Sequence, residues 1–334
     1  MIRCITRCLA LLVALCSCAF AVGPGDIGVI YLLSDTSSKD TAFHYAARRG
    51  IPNQHIVGVD LPADTASIRQ DEFKPAFDRV AKTMPAAVQV YALTWTLPYR
   101  VECMSITSAF AFGYDQRYCA QGCRPTHKNP YFGSSAKRPF DEHRMRPTML
   151  LSAGDVESTR ALIDRGIAAD FSLPVMANAL LLSTTDTARN VRSARYRMVK
   201  NLFHRKLNVQ VIKRDWVTGM NAVMFYFIGS KQVPQIASNQ FLPGAVADHL
   251  TSAGGELDGS RQMSALEWLK AGATGSYGTV VEPCNFPDKF PNPAVVMAHY
   301  LNGDTLVEAY WKSVRMPGQG LFIGEPLARP FASN

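Results

Sequence analysis

The chain has 334 residues, 47% of them hydrophobic, with 35 lysines and arginines against 27 acids and a net charge of +8. That length is enough for one large domain with a substantial core. The modest basic excess suits an anionic surface or ligand, yet it does not call for nucleic acid, which is excluded as an expected partner.

Arg3 and Arg7 precede an apolar run that ends at Phe20, and Ala19-Phe20-Ala21 has the small-x-small pattern of a signal-peptidase site. A signal peptide is therefore predicted over 1–21, with cleavage after Ala21 and a mature domain over 22–334. The run falls short of the ~20 apolar residues that a membrane span needs, and no later segment is long and apolar enough either. A lipoprotein signal is the weaker alternative, since Leu15-Cys16-Ser17-Cys18 only loosely imitates a lipobox. The mature protein is expected to be exported and released, periplasmic or extracellular.

Four of the eight cysteines leave with that leader. Cys103, Cys119, Cys123 and Cys284 remain, and an even number in an oxidising compartment predicts two disulfides of open pairing. Zinc with His127 is the alternative, but the C-x2-C spacing of structural zinc is missing, so no metal is expected.

The run Ile27 to Leu33 is almost wholly apolar, as a strand buried on both faces must be. Ser34, Asp35 and Thr36 then open a helix that ends at Gly50. A second strand, His55 to Asp60, a second helix, Ile68 to Met84, and a third strand, Ala87 to Leu93, complete a pattern that predicts a parallel sheet with right-handed crossovers. Residues 98–147 break the alternation and are read as a disulfide-stapled insertion over one end of the sheet.

Alternation resumes with strand Thr148 to Ser152, helix Val156 to Ile167 and strand Asn178 to Ser183. A helix from Asp186 to Lys206 is predicted to bury Val191, Ala194, Met198 and Leu202, with five cations crowding the rest of its surface. A solvated outer helix is the plainer reading; docking on anionic membrane or polysaccharide through Arg192 and Arg195 is the sharper one. Strands Val209 to Ile212 and Ala222 to Ile228 follow, then a helix centred on Trp268, a helix from Thr305 to Val314 and a strand from Leu321 to Gly324. With no repeat or linker visible, the fold class is α/β: a single, largely parallel sheet flanked by helices, caspase-like or doubly wound.

No dinucleotide, P-loop, nucleophile-elbow or H-E-x-x-H signature occurs, and no cofactor is expected. Polar residues after strands line the usual crevice of an α/β sheet, so Asp35, Thr94, Ser230, Ser252 and Glu282 are expected to share one rim. His249 is a candidate base for Ser252, with Asp248 or Glu282 orienting the ring. Its bland reading is a structural histidine, and residues three apart on a strand face opposite sides. In Gly272 to Cys284, the recurring glycines permit close packing, with Ser276 and Tyr277 beside the crevice or in the core. Glu325 and Arg329 in the tail are further binding candidates.

Segments along nearly the whole mature chain resemble an uncharacterised family of exported proteins from bacteria that carry the exosortase (PEP-CTERM-type) sorting system. They are RRGIPNQHIVGVDLP (Arg48 to Pro62), PYRVECMSITSAF (Pro98 to Phe110), LIDRGIAAD (Leu162 to Asp170), GATGSYGTVVEPC (Gly272 to Cys284), and EAYWKSV with GEPLARPF (Glu308 to Phe331). That resemblance implies a setting but no activity. FYFIGS, AVADHLTS and GATGSYGTV are similar in arrangement to gingipain-like peptidases of the caspase-like fold, where histidine follows the first strand and cysteine ends the second. The matching places here hold Ser230 and Ser252, so the resemblance implies the architecture without the dyad. The leading expectation is an exported accessory protein that binds a peptide, polysaccharide or other envelope component at the carboxyl rim. The rival is a peptidase-like hydrolase using Ser252 or Ser276 with His249.

Overall fold

The structure is a computed structural model and describes residues 21–120 and 123–333. The leader read over 1–21 lies almost wholly outside the described residues. Among these, no helix is long and apolar enough to cross a membrane.

The first half of the chain supplies β1 (Ile27–Leu32), α1 (Thr36–Arg49), β2 (Ile56–Val59), β3 (Ser67–Ile68), α2 (Gln70–Thr83), β4 (Val90–Leu93), β5 (Arg100–Val101), β6 (Met104–Ser105), α3 (Ile106–Phe112), α4 (Pro139–His143), β7 (Thr148–Leu150) and α5 (Val156–Ala169). The second supplies β8 (Asn178–Leu182), α6 (Tyr196–Phe203), β9 (Asn208–Ile212), β10 (Val223–Gly229), β11 (Phe241–Leu250), α7 (Leu266–Lys270), β12 (Gly275–Thr279), α8 (Pro293–Leu301), α9 (Leu306–Ser313) and β13 (Gly320–Gly324).

Local chemistry sets these limits. The Asp35 carboxylate accepts from the Ser37 amide at 2.9 Å to open α1, and Gly50, at φ 69°, closes it. Asp155 opens α5 in the same way, through the Ser158 amide at 2.8 Å.

Ten strands form one sheet in the order β2-β1-β4-β7-β13-β12-β11-β10-β8-β9. It consists of two blocks. In each, four consecutive parallel strands of the main sheet lie in the spatial order second, first, third, fourth: β2-β1-β4-β7 and, from the other edge, β9-β8-β10-β11. β12 extends the second block in parallel, and β13 lies between it and β7. β12 and β13 meet antiparallel, Gly275 opposite Gly324 and Thr279 opposite Gly320.

The α/β class and the mostly parallel sheet are as expected. The connection that leaves the carboxyl end of β11 reaches the carboxyl ends of β1 and β4, where Asp258 stands with Asp35 and Thr94, so the carboxyl ends of both blocks lie on one side of the sheet. Asp35 and Thr94 lie on the first block's part of that rim, and Ser230, Ser252 and Glu282 on the second's.

Stretch Gly272 to Cys284 carries β12 in the middle of the sheet. At Gly278 a Cβ would come within 2.2 Å of the Gly254 backbone, so only glycine lets the β11–α7 connection lie against this strand. Tyr277 is fully buried, its hydroxyl donating to the Lys289 carbonyl at 2.6 Å. The insertion is ordered by α3 and α4, and by bonds such as Asn129 Nδ2 to the Trp311 carbonyl at 2.8 Å. Cys103 is bonded to Cys119, and Cys123 to Cys284, which ties the insertion to the exit from β12. His127 packs edge-on to Tyr118.

Candidate functional site

The carboxyl rim of the first block carries a cleft of about 550 Å³. It lies where the chain leaves β1, β4 and β7 and enters α1 and α5. Strands β2 and β4 flank β1 on opposite sides, so the cleft sits at a topological switch point, the usual binding position in open α/β sheets. Three carboxylates line it: Asp35, Asp155 and Asp258. Seven serine and threonine hydroxyls join them, and among the described residues no lysine, arginine or histidine does.

The floor of the cleft is held by its own hydrogen bonds. The Thr94 hydroxyl donates to the Ser38 carbonyl at 2.8 Å, while Ser38 Oγ accepts from the Leu32 amide at 2.9 Å. Thr96 Oγ1 and Ser152 Oγ are 2.7 Å apart, and Ser152 Oγ accepts from the Gly154 amide at 3.2 Å. Asp155 is exposed, and its bonds to Ser158 hold its carboxyl below the usual range. Asp258 reaches the cleft from the β11–α7 connection and accepts from the Tyr99 hydroxyl at 2.8 Å. A second depression shares Ala63 with the cleft and adds Asp60, Asp64 and Glu72. This part of the rim is acidic as a whole.

The second block's part of the rim is closed by internal bonding. His249 is 1% exposed. Its Nδ1 accepts from the Trp268 indole at 2.9 Å, which leaves Nε2 to donate to the Met263 carbonyl at 2.9 Å. Burial pushes the ring down to about 4, so it is neutral at pH 7. Both nitrogens are occupied, and the structure does not assemble Ser252, His249 and Glu282 as a triad. Glu282 is exposed and accepts from the Cys284 amide at 2.7 Å, a bond within its own turn. Asp248 does not orient the ring; it meets Arg192 at 2.6 Å in a fully buried ion pair.

The other expected residues also separate. Ser230 Oγ donates to the Gln232 carbonyl at 2.6 Å. Ser276 is fully buried in β12. Glu325 accepts from the Tyr45 hydroxyl and from Arg49, both at 2.7 Å, on the underside of the first block. Arg329 stacks over Phe171, away from the cleft. Of the expected set, only Asp35 and Thr94 reach the cleft.

The basic segment differs from its expectation in two ways. Arg192 is buried, so it is no surface cation. Met198 and Leu202 face outward, 48% and 60% exposed, while Tyr196 and Val199 are buried instead.

Asp155 and Ser152 were open to discovery from sequence, because Ser152 to Asp155 repeats the strand-exit and helix-cap chemistry of Leu32 to Asp35. Asp258 carries no such local mark. Searches against protein-family models, curated proteins and solved structures gave no match for this chain.

Proposed function

We propose that the protein is an exported binding protein, in the exosortase setting suggested by the resemblance, whose first-block cleft takes a cationic peptide segment. The observation that carries this is the lining itself: three carboxylates and seven hydroxyls, with no cation among the described residues. Such a wall repels anions, attracts lysine or arginine side chains, and leaves hydroxyls for the peptide backbone. A sugar is less well served. Its apolar ring face needs a flat exposed aromatic, and Trp95, the aromatic of this cleft, is 2% exposed.

The caspase-like reading remains an architectural proposal. Adjacent parallel strands β10 and β11 that end near Ser230 and Ser252 support it. With both His249 nitrogens engaged, binding is favoured over hydrolysis.

Calorimetry with a Lys- and Arg-containing hexapeptide tests the reading. Binding should weaken about tenfold in Asp258→Asn and fall as pH approaches the carboxylate range near 4. Equal affinity for a glutamate-rich hexapeptide would refute it. Preference for a glucosamine oligomer would replace the peptide with a glycan.

A second reading concerns where the protein rests. Residues 187–214 contain nine lysines and arginines and no acid. They form the free edge of the sheet at β9, where Arg195, Arg197 and Lys200 are exposed around outward Met198 and Leu202, with Trp216 also exposed nearby in sequence. Cations around outward apolar side chains suit an anionic bilayer surface, at roughly 1 kcal/mol for each cation. Sedimentation with vesicles one-third phosphatidylglycerol should exceed that with phosphatidylcholine alone, and Met198→Ser with Leu202→Ser should reduce it about tenfold. No difference between the two vesicles would remove this reading.

A further inference from the structure

A buried carboxylate lies where the mature chain would begin. Val22, the residue after the predicted cleavage point, is 1% exposed, and its backbone nitrogen lies 3.2 Å from Oε2 of Glu308. Glu308 is fully buried on α9. Its Oε2 also accepts from the Thr305 amide at 3.0 Å and the Thr305 hydroxyl at 2.7 Å, closing the helix cap. Its Oε1 has no hydrogen-bond partner among the described residues.

The surrounding charges leave this carboxylate under-compensated. Asp304 takes Lys312 at 2.7 Å, His299 at 3.0 Å and Lys137. Lys312 stands 4.0 Å from Glu308. In the uncleaved chain, Val22 offers Glu308 a single neutral amide hydrogen. An unpaired buried carboxylate is expensive, and a removed partner leaves that penalty exposed.

We infer that Glu308 is the binding site for the α-ammonium group of Val22, created when the leader is removed. Hydrolysis of the Ala21–Val22 amide by a signal peptidase breaks the C–N bond. Water supplies the new oxygen of the Ala21 carboxylate and both its hydrogens to the Val22 nitrogen, giving an ammonium with three donors. One replaces the amide hydrogen already aimed at Oε2, and another is available to Oε1. Processing thereby converts an amide contact into a buried ion pair that fastens the first residue of the domain to α9.

This inference rests on the leader reading, and two measurements separate them. N-terminal sequencing of the secreted chain should begin at Val22; any other start overturns the proposal. The second measurement compares the processed chain with one carrying an extra alanine before Val22, each with Glu308 and with Glu308→Gln. Glutamine retains the cap acceptor but not the charge. The extra alanine should raise the unfolding constant roughly tenfold or more in the parent, and less than threefold in Glu308→Gln. A start at Val22 with an alanine effect that is absent, or equal in both backgrounds, would leave the leader standing and overturn the ion pair.

Discussion

The carboxyl ends of the two blocks are built on the same strand order and solve opposite problems. On the first, β1, β4 and β7 end in short turns whose polar groups cap α1 and α5 and leave a cleft open between them. On the second, β10 and β11 end beneath a 3-10 segment, Asn190–Arg195, pressed so close that a Cβ at Gly229 would come within 2.0 Å of the Arg189 carbonyl. There the polar groups point inward. Arg192 meets Asp248, and His249 bridges Trp268 and Met263. The difference shows that a strand-end polar residue marks a site only where the following connection leaves it uncovered.

The sharpest test of this contrast is the buried pair. Asp248→Ala leaves Arg192 uncompensated in the core and should destabilise the protein by about 3–5 kcal/mol, read by chemical denaturation. Replacing Arg192 and Asp248 together with methionine and leucine should be markedly less damaging than Asp248→Ala. If Asp248→Ala cost less than about 1 kcal/mol, the second block's part of the rim would not be structural and a hidden site there would return.

His249 gives the next effect. Its folded value is depressed to about 4 from 6.5, so the unfolded chain binds the proton first as pH falls. Its contribution is fully present above pH 6.5 and is lost as pH drops towards 4. The loss across that window should be about 3 kcal/mol, at 1.36 kcal/mol for each pH unit of displacement. His249→Gln should flatten this part of the stability profile. An unchanged slope would mean that His249 titrates normally and is open to water.

How much of this was legible in sequence follows from what a sequence encodes locally. Asp35 and Gly50 announce α1 because capping chemistry is read within four residues. Apolar runs such as Val223–Gly229 announce buried strands, but they carry no direction, so the antiparallel meeting of β12 and β13 was invisible. The cysteines announced disulfides, whereas Cys123 and Cys284 are 161 residues apart and only the fold brings them together. The inverted stripe of α6 has a definite cause. Six preceding residues are 3-10, at 3.0 residues per turn rather than 3.6, which rotates the later phase by ~120° and turns Met198 and Leu202 outward. Asp258 came from a connection with no periodicity, and nothing nearby tied it to Asp35.

The smallest effects belong to the first block's part of the rim. Asp35 and Asp155 are caps, and asparagine caps about as well as aspartate, so Asp35→Asn and Asp155→Asn should each change stability by about 0.5 kcal/mol or less. Asp155→Ala should cost about 1 kcal/mol, since the Ser158 amide then loses its acceptor. Thermal denaturation of these variants beside Asp248→Ala measures the contrast directly. A cleft assembled from exposed caps can give up its charge while keeping its shape, whereas a rim welded by buried ions cannot. Asparagine variants that unfolded as readily as Asp248→Ala would show both parts of the rim to be structural, and the cleft would lose its claim to be a site kept open for a ligand.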